Sequence, residues 1–169
     1  MNRSKLNMLE ETHLRVHSRL EELVAVQQWF RALISQLAEK NPWVNDYFDQ
    51  LNLALAEGFT NAVRHAHAHL PGSTPIDIEL VLYAQQLEIR IFDQGEPFDP
   101  DSLSEPKPGA LREGGYGWFL LRRLADQVTY SRIANKPVNS DPEQSSFYPI
   151  QQKNCLRIVK TANISEELA

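Results

Sequence analysis

The sequence has a single cysteine, Cys155. An intrachain disulfide is therefore excluded, and so is any metal site built from several thiolates. Basic charge is also scarce, with 17 Lys and Arg against 22 Asp and Glu and a formal net charge of −5. That balance leaves no broad electrostatic footprint for nucleic acid, and the adjacent Arg122 and Arg123 are too little to make one. No apolar run reaches spanning length, and the start, MNRSKLNMLEE, has no stretch of signal-peptide type. A cytoplasmic protein is the expectation, with neither membrane nor nucleic acid among its partners. What is present suits one soluble domain: 169 residues, 42% hydrophobic and 23% charged, enough for a core without covalent staples.

Residues 1–11 are polar and expected to be loose. The domain proper is expected over 12–162, with a tail at 163–169. THLRVH (12–17) alternates and reads as an edge strand. Ser18 and Glu21 then form an S-x-x-E pattern that predicts a capped helix start. Leu20, Leu23, Val24, Gln27, Phe30, Leu33, Ile34 and Leu37 recur along that helix as one stripe, and Asn41-Pro42 ends it. A second helix is predicted from about Trp43 to His69, stopped by Pro71-Gly72. IDIELVLY (76–83) and LEIRIFD (87–93) alternate with period two across a short connection, which predicts an antiparallel hairpin. From Gln94 to Gly115 periodicity vanishes among prolines and glycines, so 99–114 is expected to be a functional lid. YGWFLLRRLAD reads as a helix and QVTYSRI as a strand; a polar loop follows over 134–152, and NCLRIVK (154–160) closes the chain as a strand. This order predicts an α/β two-layer sandwich, a mixed, largely antiparallel sheet covered on one face by helices.

Three stretches carry polar groups in unusual places. In ALAEGFTNAVRHAHAH (54–69), Glu57 and Asn61 lie one turn apart on one helix face, beside the small residues Ala54 and Gly58. By itself that pair describes a solvated face with a side-chain hydrogen bond, and it rises above that reading only if other polar groups converge nearby. Asp93 shares the parity of Leu87, Ile89 and Ile91, which turns its carboxylate inward, where donors have to meet it. If the strand stops short, Asp93 instead starts a turn with Gln94-Gly95. Gly114, Gly115 and Gly117 precede a helix that Trp118, Leu120, Leu121 and Leu124 would anchor, and free amides at such a start favour anions. No P-loop lysine follows these glycines, and no strand directly precedes them as a dinucleotide fingerprint requires. His65, His67 and His69 do not share one face, and the helix C-terminus favours histidine without any metal. Cys155 lies within a strand pattern and reads as packing.

Taken in order, these stretches resemble the boxes of the GHKL ATP-binding fold, found in histidine kinases, DNA gyrase and MutL. The chain is most similar in pattern to the anti-sigma-factor serine kinases of bacterial partner-switching systems. LAEGFTNAVRHA resembles their N box, with Glu57 and Asn61 in the E-x-x-x-N-A positions. FDQGEPFDP resembles the G1 box through Asp93, Gly95, Phe98 and Asp99, and GGYGWFLLRRLADQVTY resembles the G2 box. Three features depart from the pattern: Pro97 stands where the superfamily commonly has Gly, Cys155 where relatives often carry Thr, and the 134–152 loop is longer than the fold requires.

The resemblance implies ATP and Mg²⁺ as cofactors, with Asn61 as the metal ligand and Glu57 as the catalytic carboxylate. It implies that Asp93 receives the adenine amino group, that Gly95 and Phe98 shape the base site, and that Gly115 and Gly117 lend amides to the phosphates, with Arg64 in their neighbourhood. The implied activity is a serine/threonine protein kinase acting on an anti-sigma-factor antagonist protein and sequestering a sigma factor, with a homodimer as the assembly. The alternatives are a nucleotide-binding interaction module with little kinase activity, or a stand-alone GHKL ATPase.

Overall fold

The computed structural model describes residues 7–104, 107, 116–134 and 152–163. The expected role of Gly115, most of the 99–114 lid and nearly all of the 134–152 loop lie outside the described residues.

The hairpin forms as its alternation requires. Strands β2 (Pro75–Tyr83) and β3 (Gln86–Asp93) pair antiparallel with Ile78 opposite Ile91 and Leu80 opposite Ile89. Strand β1 (Met8–His17) pairs with β2, while β4 (Gln127–Ala134) pairs with β5 (Gln152–Thr161), and β5 pairs with β3. The sheet order is β1-β2-β3-β5-β4, with every described pairing antiparallel, so the expected mixture of directions is not found. β1 begins at Met8, before the alternating stretch and inside the segment expected to be loose. Its first residues are exposed, so their side chains carry no pattern; only backbone pairing to β2 holds them.

Helices α1 (Leu23–Ala38), α2 (Trp43–Asp46), α3 (Phe48–Asn61) and α4 (Tyr116–Leu124) cover one face. Phe30 and Ile34 of α1 and Leu51, Leu55 and Phe59 of α3 are fully buried against Ile76, Ile78, Leu80 and Ile89 of the sheet. The capping box at Ser18 does not form. Arg19 is the cap of a short 3-10 turn, Leu20–Glu22, without a side-chain bond, and the Ser18 amide donates to the Thr74 carbonyl at 2.9 Å. Leu20 and Val24 consequently stay exposed, and Val26 takes the core position instead. The second predicted helix is broken: Tyr47 separates α2 from α3, and after Asn61 the chain widens into a π turn over Ala62–Ala66.

The other sheet face carries two buried carboxylates, Asp77 and Glu88, each met by partly exposed cations, and is not a simply solvated surface. Asp77 is held by Arg15 at 2.6 Å and Lys153 at 2.8 Å, and Glu88 by Arg90 and Arg157, each at 2.9 Å. Burial alone would raise both carboxyls, but these hydrogen bonds prevail and hold them below the usual range.

Gly58 sets the depth of α3. A Cβ there would lie 2.7 Å from Ile91 Cδ1 and 2.9 Å from Leu156 Cδ2, so the helix rides directly on β3 and β5. The small residue therefore makes room mainly for the sheet itself. Gly58→Val should overpack this contact and cost about 1–3 kcal/mol, read as a lower urea midpoint with an unchanged slope.

Candidate functional site

The site grows from the end of α3. The π turn is closed by the His67 amide, which donates to the Ala62 carbonyl at 2.9 Å. Such widened turns recur at functional positions. This one folds His67 back beneath the turn that follows β3, where His67 Nε2 accepts from the Gln94 amide at 2.8 Å. An accepting Nε2 leaves the ring proton on Nδ1, which is buried and has no partner among the described residues. Burial holds this imidazole below its ordinary value of 6.5, with nearby Asp93 pulling weakly the other way.

Asp93 is inward-facing, as its parity requires, and only 3% exposed. Its Oδ1 accepts from the Gly95 amide at 2.9 Å and from Asn154 Nδ2 at 2.8 Å; its Oδ2 accepts from the Tyr130 hydroxyl at 2.9 Å. The strand and turn readings of Asp93 are therefore both realised, since it ends β3 and also caps its own Asx turn. Asn154 comes into place because β5 sets it opposite Asp93, while Cys155 lies opposite Phe92 on the other face. The residue beside Asp93 is thus Asn154, and Cys155 is buried with its thiol pushed up to about 11 by burial.

Gly95 serves a different contact from the one expected. A Cβ there would fall 2.1 Å from the Ala66 carbonyl oxygen, so its missing side chain lets the β3 turn dock on the π turn. At Gly117, a Cβ would lie 1.9 Å from Glu57 Oε1 and 3.1 Å from Asn61 Nδ2. The first turn of α4 therefore sits over the Glu57–Asn61 pair. Phe98 lies against Tyr130 in a tilted arrangement, with ring centroids 4.7 Å apart and planes at 35°, and meets Trp118 edge-on at 6.4 Å.

Together Asn61, Asp93, Phe98, Gly117, Trp118 and Tyr130 line a cavity of about 230 Å³ between α3, α4 and the sheet. Of the residues expected to form a site, four line this space: Asn61, Asp93, Phe98 and Gly117. Glu57 stands one turn behind, against Gly117; Gly95 lies beneath; Arg64 is exposed, and His65 lines the cavity. Tyr130, Asn154 and His67 were not anticipated. The parity of QVTYSRI and NCLRIVK could have placed Tyr130 and Asn154 on the Asp93 face, since β4 sets Tyr130 opposite Leu156, in phase with Asn154. Nothing local marks His67, whose position depends on the π turn. Among the described residues no group of three His, Cys, Asp or Glu is arranged to hold a metal ion, and no helix is long and apolar enough to cross a membrane.

The family model of the histidine kinase-like ATPase domain matches residues 16–139. The chain belongs to that family. Similar proteins include the serine-protein kinase RsbW of Oceanobacillus iheyensis, 31% identical over 135 residues, which cover 69% of this chain and 85% of the relative. The RsbW proteins of Halalkalibacterium halodurans and Bacillus licheniformis are 35% and 32% identical over 106 residues, 58% of this chain and 64% and 66% of theirs. The chain thus spans just under two thirds of the latter two. The family resemblance read from the sequence boxes holds, and so does its α/β sandwich.

His67 gives the histidine kinase-like domain a measurable pH dependence. Its value is lowered in the folded chain, so its share of stability is complete above about pH 6.5 and is lost as pH falls through 6.5 toward the folded value. Urea midpoints should decline between pH 7.5 and 5.5, and His67→Gln, which keeps an acceptor but cannot titrate, should flatten that decline.

Proposed function

We propose that this chain is an ATP- and Mg²⁺-dependent serine/threonine protein kinase of the anti-sigma type. In this reading it phosphorylates an anti-sigma-factor antagonist and, when the antagonist is absent, sequesters a sigma factor. The supporting observation is that Asn61, Asp93 and Gly117, from three distant stretches, line one cavity, with Glu57 directly behind Gly117.

The donor set suits the nucleotide. Among the described residues Asp93 has three donors, none of them cationic, and one lone pair of Oδ2 remains for an exocyclic amino group. Phe98, Trp118 and Tyr130 give the base an apolar wall. The first turn of α4 would offer backbone amides to anions, and the glycine at 117 lets that turn lie directly over Glu57 and Asn61. Mg²⁺ accepts few protein ligands, so one neutral carboxamide oxygen from Asn61 is an adequate share. When bound, the ion neutralises phosphate charge, while the residues of this chain position the reacting groups. Glu57, one turn from Asn61, would orient the incoming serine or threonine hydroxyl and take its proton on a carboxylate oxygen. Charge added to the antagonist at its interface would lower its affinity and release the kinase to bind the sigma factor.

Incubation with γ-labelled ATP, Mg²⁺ and small partner proteins recovered by pull-down tests this directly. Acid-stable label on a partner's serine or threonine is expected. Glu57→Ala should lower transfer by roughly 10²–10⁴-fold with ATP binding retained. Full transfer by that variant would remove the assigned base; acid-labile phosphohistidine, or tight partner binding with no label transferred, would remove the serine-kinase reading.

A further inference from the structure

His67 is the one buried histidine among the described residues, and the function proposed above makes no use of it. It joins two walls of the cavity. Ala66, its neighbour on the π turn, lines one side; Asp93 lines the other and precedes Gln94, whose amide donates to His67 Nε2 at 2.8 Å. Resting on the nucleotide reading above, we propose that His67 is a positioning residue for this site, and that nucleotide is taken up only while its imidazole is neutral.

A backbone amide can only donate, so the Nε2 that meets the Gln94 N–H has to present a lone pair. A protonated imidazole carries hydrogen on both nitrogens and has no lone pair to offer. In the cationic form two N–H groups would face each other across this contact, and the turn after β3 would have to move off the π turn. That turn cannot move alone. Asp93 Oδ1 accepts from the Gly95 amide at 2.9 Å, and Asn154 Nδ2 donates both to Asp93 Oδ1 and to the Gly95 carbonyl. Gly95 lies so close to the Ala66 carbonyl that even a Cβ is excluded. Losing the His67 bond therefore disturbs the carboxylate and the Ala66 wall together. The charge that faces His67 from β3 is Asp93, which favours the cation; burial opposes it and prevails, so the imidazole lies below its ordinary 6.5. Strands β5 and β4 bring Asn154 and Tyr130 to this corner, a carboxamide and a phenol that burial keeps protonated. On the two turns themselves Arg64, His65, His69 and Glu96 are exposed. The neutral form is thus the resting one at neutral pH, and affinity should fall as pH drops through the folded value of His67.

The probe is ATP with Mg²⁺, followed by calorimetry from pH 7.5 downward, well below the unfolding temperature of each chain. Protons on the phosphates, and on His65 in the cavity wall, act alike on wild type and variant. The comparison is therefore with His67→Gln, which keeps an acceptor for Gln94 and cannot titrate. At pH 7.5 the two chains should bind ATP within about threefold of each other. The imidazole's own NMR titration supplies the folded value of His67; one pH unit below it, wild type should bind about tenfold more weakly than His67→Gln, as one linked proton requires. Equal pH profiles for the two chains overturn the proposal, and so does an imidazole that stays neutral wherever the chain is folded. If His67→Gln does not fold, wild type saturated with ATP answers the same question. By reciprocity, binding that needs the neutral ring has to move the NMR midpoint of His67 down. A ring that merely lies near the triphosphate would move up, because added negative charge favours the cation. An unmoved or raised midpoint therefore overturns the role. A wild-type chain that binds no ATP at pH 7.5 sinks the nucleotide reading itself, whereas ATP binding blind to the state of His67 sinks only this inference.

Discussion

A carboxylate buried as deeply as that of Asp93 has to be met by donors, and meeting it ties the site together. The amide of Gly95 comes from the turn after β3, the carboxamide of Asn154 from β5, and the hydroxyl of Tyr130 from β4. Asn154 also donates to the Gly95 carbonyl at 2.9 Å, and His67 holds the intervening Gln94 amide. A hydrogen bond to a charged group is worth about 1.5–3 kcal/mol, and leaving such a charge unpaired costs more. The ends of β3, β4 and β5 and the π turn are therefore not independent choices.

A second constraint is how closely α3 lies on the sheet. Gly58 allows the helix down onto Ile91 and Leu156, and Gly95 allows the β3 turn up against Ala66. Between these two approaches the helix widens into its π turn, so Asn61 faces the cavity while His67 passes beneath it. Gly117 completes the arrangement from the opposite side. The three glycines are used for three different contacts: with apolar side chains, with a backbone carbonyl, and with the Glu57 carboxylate.

Much of this was legible in the sequence, and what was missed has physical reasons. Period-two alternation located the β2–β3 hairpin and turned Asp93 inward, because each residue on a strand reports its own face. The spacing of Glu57 and Asn61 placed both on one face of α3 for the analogous reason. The Ser18 capping box failed because the Ser18 amide is taken by Thr74, a partner distant in the chain. The early residues of β1 carry no pattern because their side chains are exposed and backbone pairing alone defines them. The break at Tyr47 and the π turn lie within helical composition, and tertiary packing overrides the local preference there. Asn154 and Tyr130 were legible in principle, but only after the sheet order had set β5 beside β3 and β4 beyond it.

Under the proposed function, chemistry depends on one cavity receiving the base at Asp93 and the phosphates near Asn61 and Gly117 at once. The most direct measurement is a calorimetric titration of the folded chain with ATP, in the presence and absence of Mg²⁺. One site per chain, tightened by Mg²⁺ and lost when Asp93→Asn is titrated with ATP, is the predicted result. Heat of dilution alone from well-folded protein, or ATP uptake indifferent to Asp93, would contradict the account.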